Sequence, residues 1–154
     1  MEIEMRRVSP ETARLYYELG QTVVTPYNLM AESEKDVLDE RNKPGENLFF
    51  LIGESGPVGL FSYNFQGQHL YISQVATLPG NEHRGISKSV LRLVLSPHAA
   101  VRQVDLVVHP DNVPATTLYE SVGFTKADRP VIENYEGSGT PRIWMEWTKR
   151  DMTY

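Results

Sequence analysis

Hydrophobic and polar residues follow two different periods along the chain, and the change of period separates predicted strands from predicted helices. Three apolar runs, Leu48 to Ile52, Val58 to Phe65 and Leu70 to Leu78, are separated only by the turns Glu54 to Pro57 and Gln66 to Gln68. Apolar runs of this length between turn residues are typical of β-strands. We therefore expect three consecutive antiparallel strands.

Four other segments have the period of an amphipathic helix. Serine or asparagine stands at three of their starts as a predicted N-cap, and glycine or proline follows their ends. The predicted helices run from Ser9 to Gly20, from Ser33 to Lys43, from Ile86 to Ser96 and from Asn112 to Gly123. Pro97 is expected to terminate the third of them.

The remaining apolar runs complete the order of elements. We expect short strands at Ile3 to Val8, Val104 to Val108, Phe124 to Lys126 and Ile143 to Thr148. Strands in the first half are mostly consecutive, whereas those in the second half alternate with helices. The sequence therefore predicts an α/β (α+β) domain over residues 1–154, with a mixed central sheet of about seven strands and four helices on its faces.

Composition excludes several classes of protein. The net charge of -5 at pH 7 argues against non-specific nucleic-acid binding, because phosphate neutralisation needs a basic face. The chain has no cysteine, and the spacing of its four histidines, His69, His83, His98 and His109, is not that of a metal site, so we expect no metal. The N-terminal residues lack an apolar signal segment, and no run of eighteen apolar residues occurs, so we expect a cytoplasmic protein without a membrane partner.

The most specific motif lies around the fourth predicted helix. Residues 106–124, LVVHPDNVPATTLYESVGF, place Asn112 at a helix start, alanine three residues later, then Leu-Tyr and finally Gly-Phe. A helix cap, a core stripe and a glycine stop explain most of this pattern, but Tyr119 in a core stripe needs a hydrogen-bond partner when buried. The pattern resembles that of the GNAT N-acetyltransferases, with all of these residues at the family's spacing.

A second segment upstream resembles the cofactor-binding loop of the same family. Residues 75–89, VATLPGNEHRGISKS, pass from a strand through a glycine-containing loop into a helix. Such a loop directs backbone N–H groups and the positive end of a helix at a pyrophosphate. Glu82 replaces the Gln or Arg of the family's pattern and Ser87 replaces its last Gly or Ala, whereas Gly85 is kept. The predicted cofactor-binding residues are Val75, Ala76, Thr77, Glu82, His83, Arg84, Gly85, Ile86, Ser87, Lys88, Asn112 and Tyr119.

The resemblance implies acetyl-coenzyme A as cofactor and a specific placement of its thioester. The strand ending at Pro79 and the strand ending near Val108 are expected to splay apart around the pantetheine arm. The N–H of Val75 is the implied donor to the acetyl carbonyl, and Tyr119 occupies the place of the acid that protonates the departing thiolate.

The base that removes a proton from the attacking amine is left open. The positions at which family members often carry a carboxylate or histidine hold Tyr71 and Val107. His109 shares a strand face with Val107, and imidazole is the side chain most often used as a general base, which makes His109 a catalytic candidate. The alternatives are that His109 is an exposed residue at a strand end and that water accepts the proton.

The acceptor is expected to be a primary amine of a small molecule or peptide, bound by the first two helices and the last two strands. The acidic stretch containing Asp128, Glu133, Tyr135 and Glu136 suits either a cationic amine or a solvated surface. The run from Arg129 to Met145 also resembles acetyltransferases that modify protein N-termini. The alternative function is a non-catalytic acetyl-coenzyme A sensor, and an exposed sheet edge would permit a homodimer.

Overall fold

Seven strands pair into one mixed sheet in the spatial order β1-β2-β3-β4-β5-β7-β6. The computed structural model describes residues 2–96 and 100–149. The strands are β1 (Glu4–Arg7), β2 (Glu46–Gly53), β3 (Gly56–Gln66), β4 (His69–Thr77), β5 (Gln103–Val108), β6 (Thr125–Lys126) and β7 (Ile143–Thr148). The helices are α1 (Ala13–Gln21), α2 (Glu34–Arg41), α3 (Ile86–Val94) and α4 (Val113–Ser121). None of the helices in the described ranges is long and apolar enough to cross a membrane.

The predicted mixed sheet with four helices is confirmed, and the element bounds differ from the predicted ones by a few residues. The largest local difference is at α1, where a 3₁₀ turn over Pro10–Thr12 precedes α-helical geometry. The side chain of Thr12 closes this turn, because its hydroxyl oxygen accepts from the N–H of Ser9 at 2.8 Å. Ser33 caps α2 as expected by accepting from the N–H of Asp36 at 3.1 Å. Pro97, the predicted stop of α3, lies outside the described residues.

The sheet separates two apolar layers, because successive side chains of a strand point to opposite faces. Leu48 and Phe50 of β2 belong to the cluster formed with α1 and α2. Phe49 and Leu51 of the same strand belong to the larger cluster, which includes side chains of α3 and Tyr119 of α4. Helices therefore cover both faces of the sheet.

The parallel strands β4 and β5 are paired only where they begin. The pairs are His69 with Gln103, Leu70 with Val104, and Tyr71 with Asp105. Beyond these pairs β4 continues to Thr77 and β5 to Val108, and within the described ranges no further pair joins them. The carboxyl ends of the two central strands therefore diverge, which confirms the predicted splay.

A β-bulge interrupts β4 next to this divergence. Ser62 of β3 pairs with Gln74, and Tyr63 pairs with Ile72, so that Ser73 is the extra residue on β4. Bulges bend a strand and increase its local twist. The bend therefore falls two residues before Val75, where β4 has already parted from β5.

Candidate active site

The divergence of β4 and β5 opens a cleft of about 440 Å³. Strand β4 forms one wall, β5 and α4 form the other, and the segment that follows α1 contributes Tyr27 and Asn28. The predicted cofactor residues that line this cleft are Val75, Ala76, Thr77, Glu82, Asn112 and Tyr119. The other predicted cofactor residues, from His83 to Lys88, form the loop that leaves the cleft and the first turn of α3.

The backbone of β4 presents hydrogen-bonding groups to the cleft. The N–H of Leu78 donates to the carbonyl oxygen of Val58 at 2.8 Å, so this position is a hydrogen-bonded pair of the antiparallel ladder. Because such pairs alternate, the backbone groups of Ala76 face β3, whereas those of Val75 and Thr77 face the diverging β5. The N–H of Val75 therefore points into the gap between the central strands.

The loop between β4 and α3 has the backbone form of an anion-binding site. Gly80, His83 and Gly85 have φ angles of 87°, 64° and 72°, and such left-handed residues in short succession let backbone N–H groups converge. Gly85 is the N-cap of α3 and has no side chain that could accept from the first N–H groups of the helix. The N–H groups of residues 86–88 are therefore available at the positive end of the helix. A Cβ at Gly85 would meet no atom within 4 Å. The free N–H groups and the open space fit the pyrophosphate of coenzyme A.

The charged side chains of this loop hold it together locally. The N–H of Gly80 donates to Oε2 of Glu82 at 2.8 Å, and Arg84 donates to Oδ1 of Asn81 at 2.9 Å. Glu82 lines the cleft, but its carboxylate is turned back onto its own loop. This bond reduces the repulsion that the carboxylate would exert on a phosphate group, because an accepted N–H offsets part of its charge.

Tyr119 places a neutral phenol in the wall of the cleft. Tyr119 is 9% exposed, and its ring packs edge-on against that of Phe124, with the ring centroids 5.8 Å apart. Burial raises the pKa of Tyr119 to about 12, so its hydroxyl stays protonated at neutral pH. Within residues 2–96 and 100–149 this hydroxyl makes no hydrogen bond, and it is therefore available to a molecule in the cleft.

Asn112 and His109 both make local hydrogen bonds around the start of α4. Oδ1 of Asn112 accepts from the N–H of Ala115 at 3.3 Å, which is the cap that the sequence predicts. His109 is 6% exposed, its ring lies 4.5 Å from that of Tyr27, and its Nδ1 accepts from the N–H of Asp111 at 3.0 Å. Neutral His109 therefore carries its hydrogen on Nε2, and it would have to give up the bond to Asp111 to act as a base through Nδ1.

Arg142 is a residue of the cleft that sequence reasoning did not identify. It is 2% exposed, and its guanidinium donates to the carbonyl oxygens of Pro141 at 2.8 Å and Pro26 at 3.0 Å. It also lies 4.7 Å above the ring of Tyr135. Arg142 thereby joins the segment after α1 to the loop before β7. The contact with Pro26 spans 116 positions, so no local pattern could have revealed it.

A second cavity, of about 780 Å³, is lined by residues of α1 and α2 and borders the cleft along β4. The residues common to both are Leu29, Ser73, Gln74 and Tyr135. Its lining includes the carboxylates of Glu32, Asp36, Asp39, Glu40, Glu46 and Glu136, with Lys43 as the basic residue among the described lining. We call it the acidic cavity. Of the acidic stretch that the sequence suggested for the acceptor, it includes Tyr135 and Glu136, whereas Asp128 and Glu133 are not among its described lining.

The resemblance to acetyltransferases of the GNAT type implies a mixed sheet with diverging central strands, an N–H of β4 that points into the gap, and a glycine-containing loop before a helix start. The comparison of families agrees, because residues 14–124 match the Acetyltransferase (GNAT) family. The chain belongs to this family. Membership is consistent with the predicted acetyl-coenzyme A cofactor.

Solved structures share this fold along nearly the whole chain. The ribosomal-protein-S18-alanine N-acetyltransferase of Escherichia coli has a TM-score of 0.76 at 17% identity, with 99% of each chain covered. The spermidine N-acetyltransferase of Vibrio cholerae, in complex with CoA and spermine, has a TM-score of 0.75 at 19% identity, with 95% of each chain covered. An acetyltransferase of Thermus thermophilus has a TM-score of 0.73 at 16% identity, with 97% of this chain and 98% of that chain covered.

One curated protein matches part of the sequence. The UPF0157 protein YqkA of Bacillus subtilis (strain 168) is 28% identical over 71 residues, which are 46% of this chain and 21% of that protein. The match therefore spans about a fifth of the length of this relative.

Proposed function

We propose that this protein is an acetyl-coenzyme A-dependent N-acetyltransferase that acts on a primary amine of a small molecule or peptide. The observation that carries the proposal is the cleft between β4 and β5, in which the outward N–H of Val75 and the hydroxyl of Tyr119 border one space. Membership of the GNAT family and the similarity in fold to two amine acetyltransferases support it.

Acetyl-coenzyme A supplies the acetyl group as a thioester. The N–H groups at the start of α3 hold its pyrophosphate, and the N–H of Val75 donates to the acetyl carbonyl oxygen, on which negative charge grows during attack. A neutral amine forms the new C–N bond while the C–S bond breaks. The nitrogen loses one proton and the sulfur gains one, so the products are an amide and the free thiol.

Tyr119 is the proton donor to the sulfur. Its pKa of about 12 keeps the hydroxyl neutral, and the burial that raises this pKa also raises that of a thiolate beside it. Because burial raises both pKa values, it does not by itself widen the difference in acidity between the two groups. The proton that Tyr119 gives up is regained from water, and the proton of the amine leaves to water or to His109.

Release of free coenzyme A with a panel of amines and peptides tests this function. The chain has no cysteine, so a thiol reagent reports the released coenzyme A without a protein background. We expect amine-dependent thiol release, an acetylated product by mass spectrometry, and a melting temperature that rises with acetyl-coenzyme A concentration. Binding without thiol release for any amine would favour the sensor instead, and the absence of binding would overturn both functions.

A further inference from the structure

Two buried polar atoms in the wall of the acidic cavity have no hydrogen-bond partner among the described residues. One is the hydroxyl oxygen of Tyr16, a residue that is 3% exposed. Ser62, which lies close enough to lower the pKa of this hydroxyl against the larger effect of burial, does not complete a hydrogen bond to it. The other atom is Oε2 of Glu46, whose Oε1 accepts from Asn64 at 3.2 Å. Leaving a buried polar atom without a partner costs about 1–3 kcal/mol; Oε2 of Glu46 lacks a donor, and the Tyr16 hydroxyl lacks a partner of either kind.

The charge around these atoms shows which donor would fit. Burial, and after it the charge of Glu40, raise the pKa of the Glu46 carboxyl, and these effects outweigh the bond from Asn64 and the charge of Lys43, which lower it. Asp39 is paired with Lys35 at 2.9 Å and Glu40 with Lys43 at 3.6 Å. The carboxylates of the lining that form no ion pair within the described ranges are Glu32, Asp36, Glu46 and Glu136. An ammonium group has three donors and a positive charge, and both the carboxylate oxygen of Glu46 and the hydroxyl oxygen of Tyr16 can accept from such a group.

The acidic cavity adjoins the cleft at the β4 bulge, where Ser73 and Gln74 line both and the side chain of Gln74 donates to the carbonyl oxygen of Leu29 at 2.7 Å. Glu46 of β2 pairs with Asn64 of β3, and Asn64 pairs with Tyr71 of β4. Glu46 is therefore in register with Tyr71, which precedes Val75 by four residues. That offset is about 13 Å along the strand and about 10 Å across two strand spacings. The two offsets combine to about 16 Å, and the Glu46 side chain with a hydrogen bond at each end takes up part of it, so the nitrogen atoms of a molecule that reaches both ends are on the order of 10 Å apart.

We propose that the acceptor is a polyamine whose reacting amine lies beside Val75 and whose distant ammonium group binds Glu46 and Tyr16 in the acidic cavity. This rests on the proposed function and adds the class of substrate. The amino group of a protein N-terminus becomes an amide in the reaction at the thioester. A second ammonium group for Glu46 and Tyr16 is then missing. A diamine with two or three carbons between its nitrogens is too short to reach both ends.

Acetylation of spermidine, of 1,3-diaminopropane, of butylamine and of a peptide with a free N-terminus tests the proposal. We expect kcat/KM for spermidine to exceed that for each of the other acceptors by at least about tenfold, since a charge-assisted hydrogen bond is gained. Glu46→Gln keeps the shape and the bond from Asn64 but removes the charge, and it should reduce this preference on the order of tenfold, mainly through KM. The matched control is Glu54→Gln, because Glu54 is exposed in the turn between β2 and β3 and lies outside the cavity lining.

Calorimetric titration with spermidine separates this proposal from the proposed function. Binding that is lost in Glu46→Gln and weakened in Tyr16→Phe, without turnover of any amine, would support the polyamine site and contradict the acetyltransferase. Turnover of butylamine or the peptide with no preference for spermidine would overturn the polyamine site and leave the acetyltransferase intact. Retention of the spermidine preference in Glu46→Gln would also overturn it.

Discussion

The two sides of the site are built from different parts of the chain. The proposed coenzyme A side consists of backbone N–H groups of β4 and the start of α3, all within residues 75–88. The proposed acceptor side consists of side chains of α1, α2, β2 and the loop before β7, which meet only in the folded protein. Binding by backbone groups depends on the geometry of the chain, whereas binding by side chains depends on which residues stand at the site. The first side therefore keeps a recognisable pattern, and the second can change its substrate without a change of fold.

The largest expected effect belongs to the one side chain that we place at the chemistry. Tyr119→Phe keeps the ring and its packing on Phe124 and removes only the hydroxyl. We expect kcat to fall by about 10² to 10⁴ while the affinity for acetyl-coenzyme A is unchanged, as for the loss of a positioned acid. Steady-state turnover and cofactor titration of both proteins measure it. An unchanged kcat would assign the proton donor to water.

A backbone site should respond to backbone strain rather than to the loss of a side chain. Gly85→Val forces a β-branched residue into φ 72°, at a cost of about 1–2 kcal/mol, and moves the N–H groups at the start of α3. We expect the affinity for acetyl-coenzyme A to fall by at least about tenfold. Cofactor titration by calorimetry measures the change.

The matched control for this variant is Gly67→Val, in the turn between β3 and β4. Gly67 has φ 65°, and an added Cβ there, as at Gly85, would meet no atom within 4 Å, so the strain is similar but lies away from the loop. Both variants should lose thermal stability, and only Gly85→Val should lose the stabilisation by acetyl-coenzyme A. Equal binding by the two variants would show that the loop is merely a connector.

Buried Tyr119 also gives a pH-dependent stability. Its pKa is raised from 10.0 to about 12, so the unfolded chain loses a proton above pH 10 that the folded protein keeps. The stabilisation is fully present below pH 10 and is lost toward pH 12, at up to about 1.4 kcal/mol per pH unit. Urea unfolding of the wild type and Tyr119→Phe between about pH 9 and about pH 11 should give a shallower loss in the variant. Identical slopes would show that Tyr119 ionises freely in the folded state.

The smallest expected effect concerns the side chain that departs from the family's pattern. Glu82→Gln removes a negative charge beside the pyrophosphate site, while its amide oxygen can still accept from the N–H of Gly80. We expect acetyl-coenzyme A to bind about two- to threefold more tightly at low salt, with less difference at high salt because exposed charges are screened. Weaker binding by the variant would show that the carboxylate itself orders the loop.

The sequence predicts the coenzyme A side better than the acceptor side for a physical reason. Helix caps such as Asn112 and glycines with left-handed φ such as Gly85 are set by short-range geometry, so their residue types appear at fixed spacing. The acidic residues of α2 resemble a solvated helix face until the fold places Glu46 beside them. The orientation of the Val75 N–H depends on the phase of the β3–β4 ladder, which hydrophobic periodicity does not determine.

Amide NMR spectra of the ¹⁵N-labelled 17.5 kDa protein test most directly whether backbone groups of β4 hold the thioester of acetyl-coenzyme A and those of α3 its pyrophosphate. We predict that acetyl-coenzyme A shifts the N–H signals of Val75 and of residues 86–88. Coenzyme A should reproduce the shifts of residues 86–88 but not that of Val75, because it has no acetyl carbonyl to accept the bond. Unchanged signals at Val75 and at residues 86–88 in saturating acetyl-coenzyme A would contradict the account.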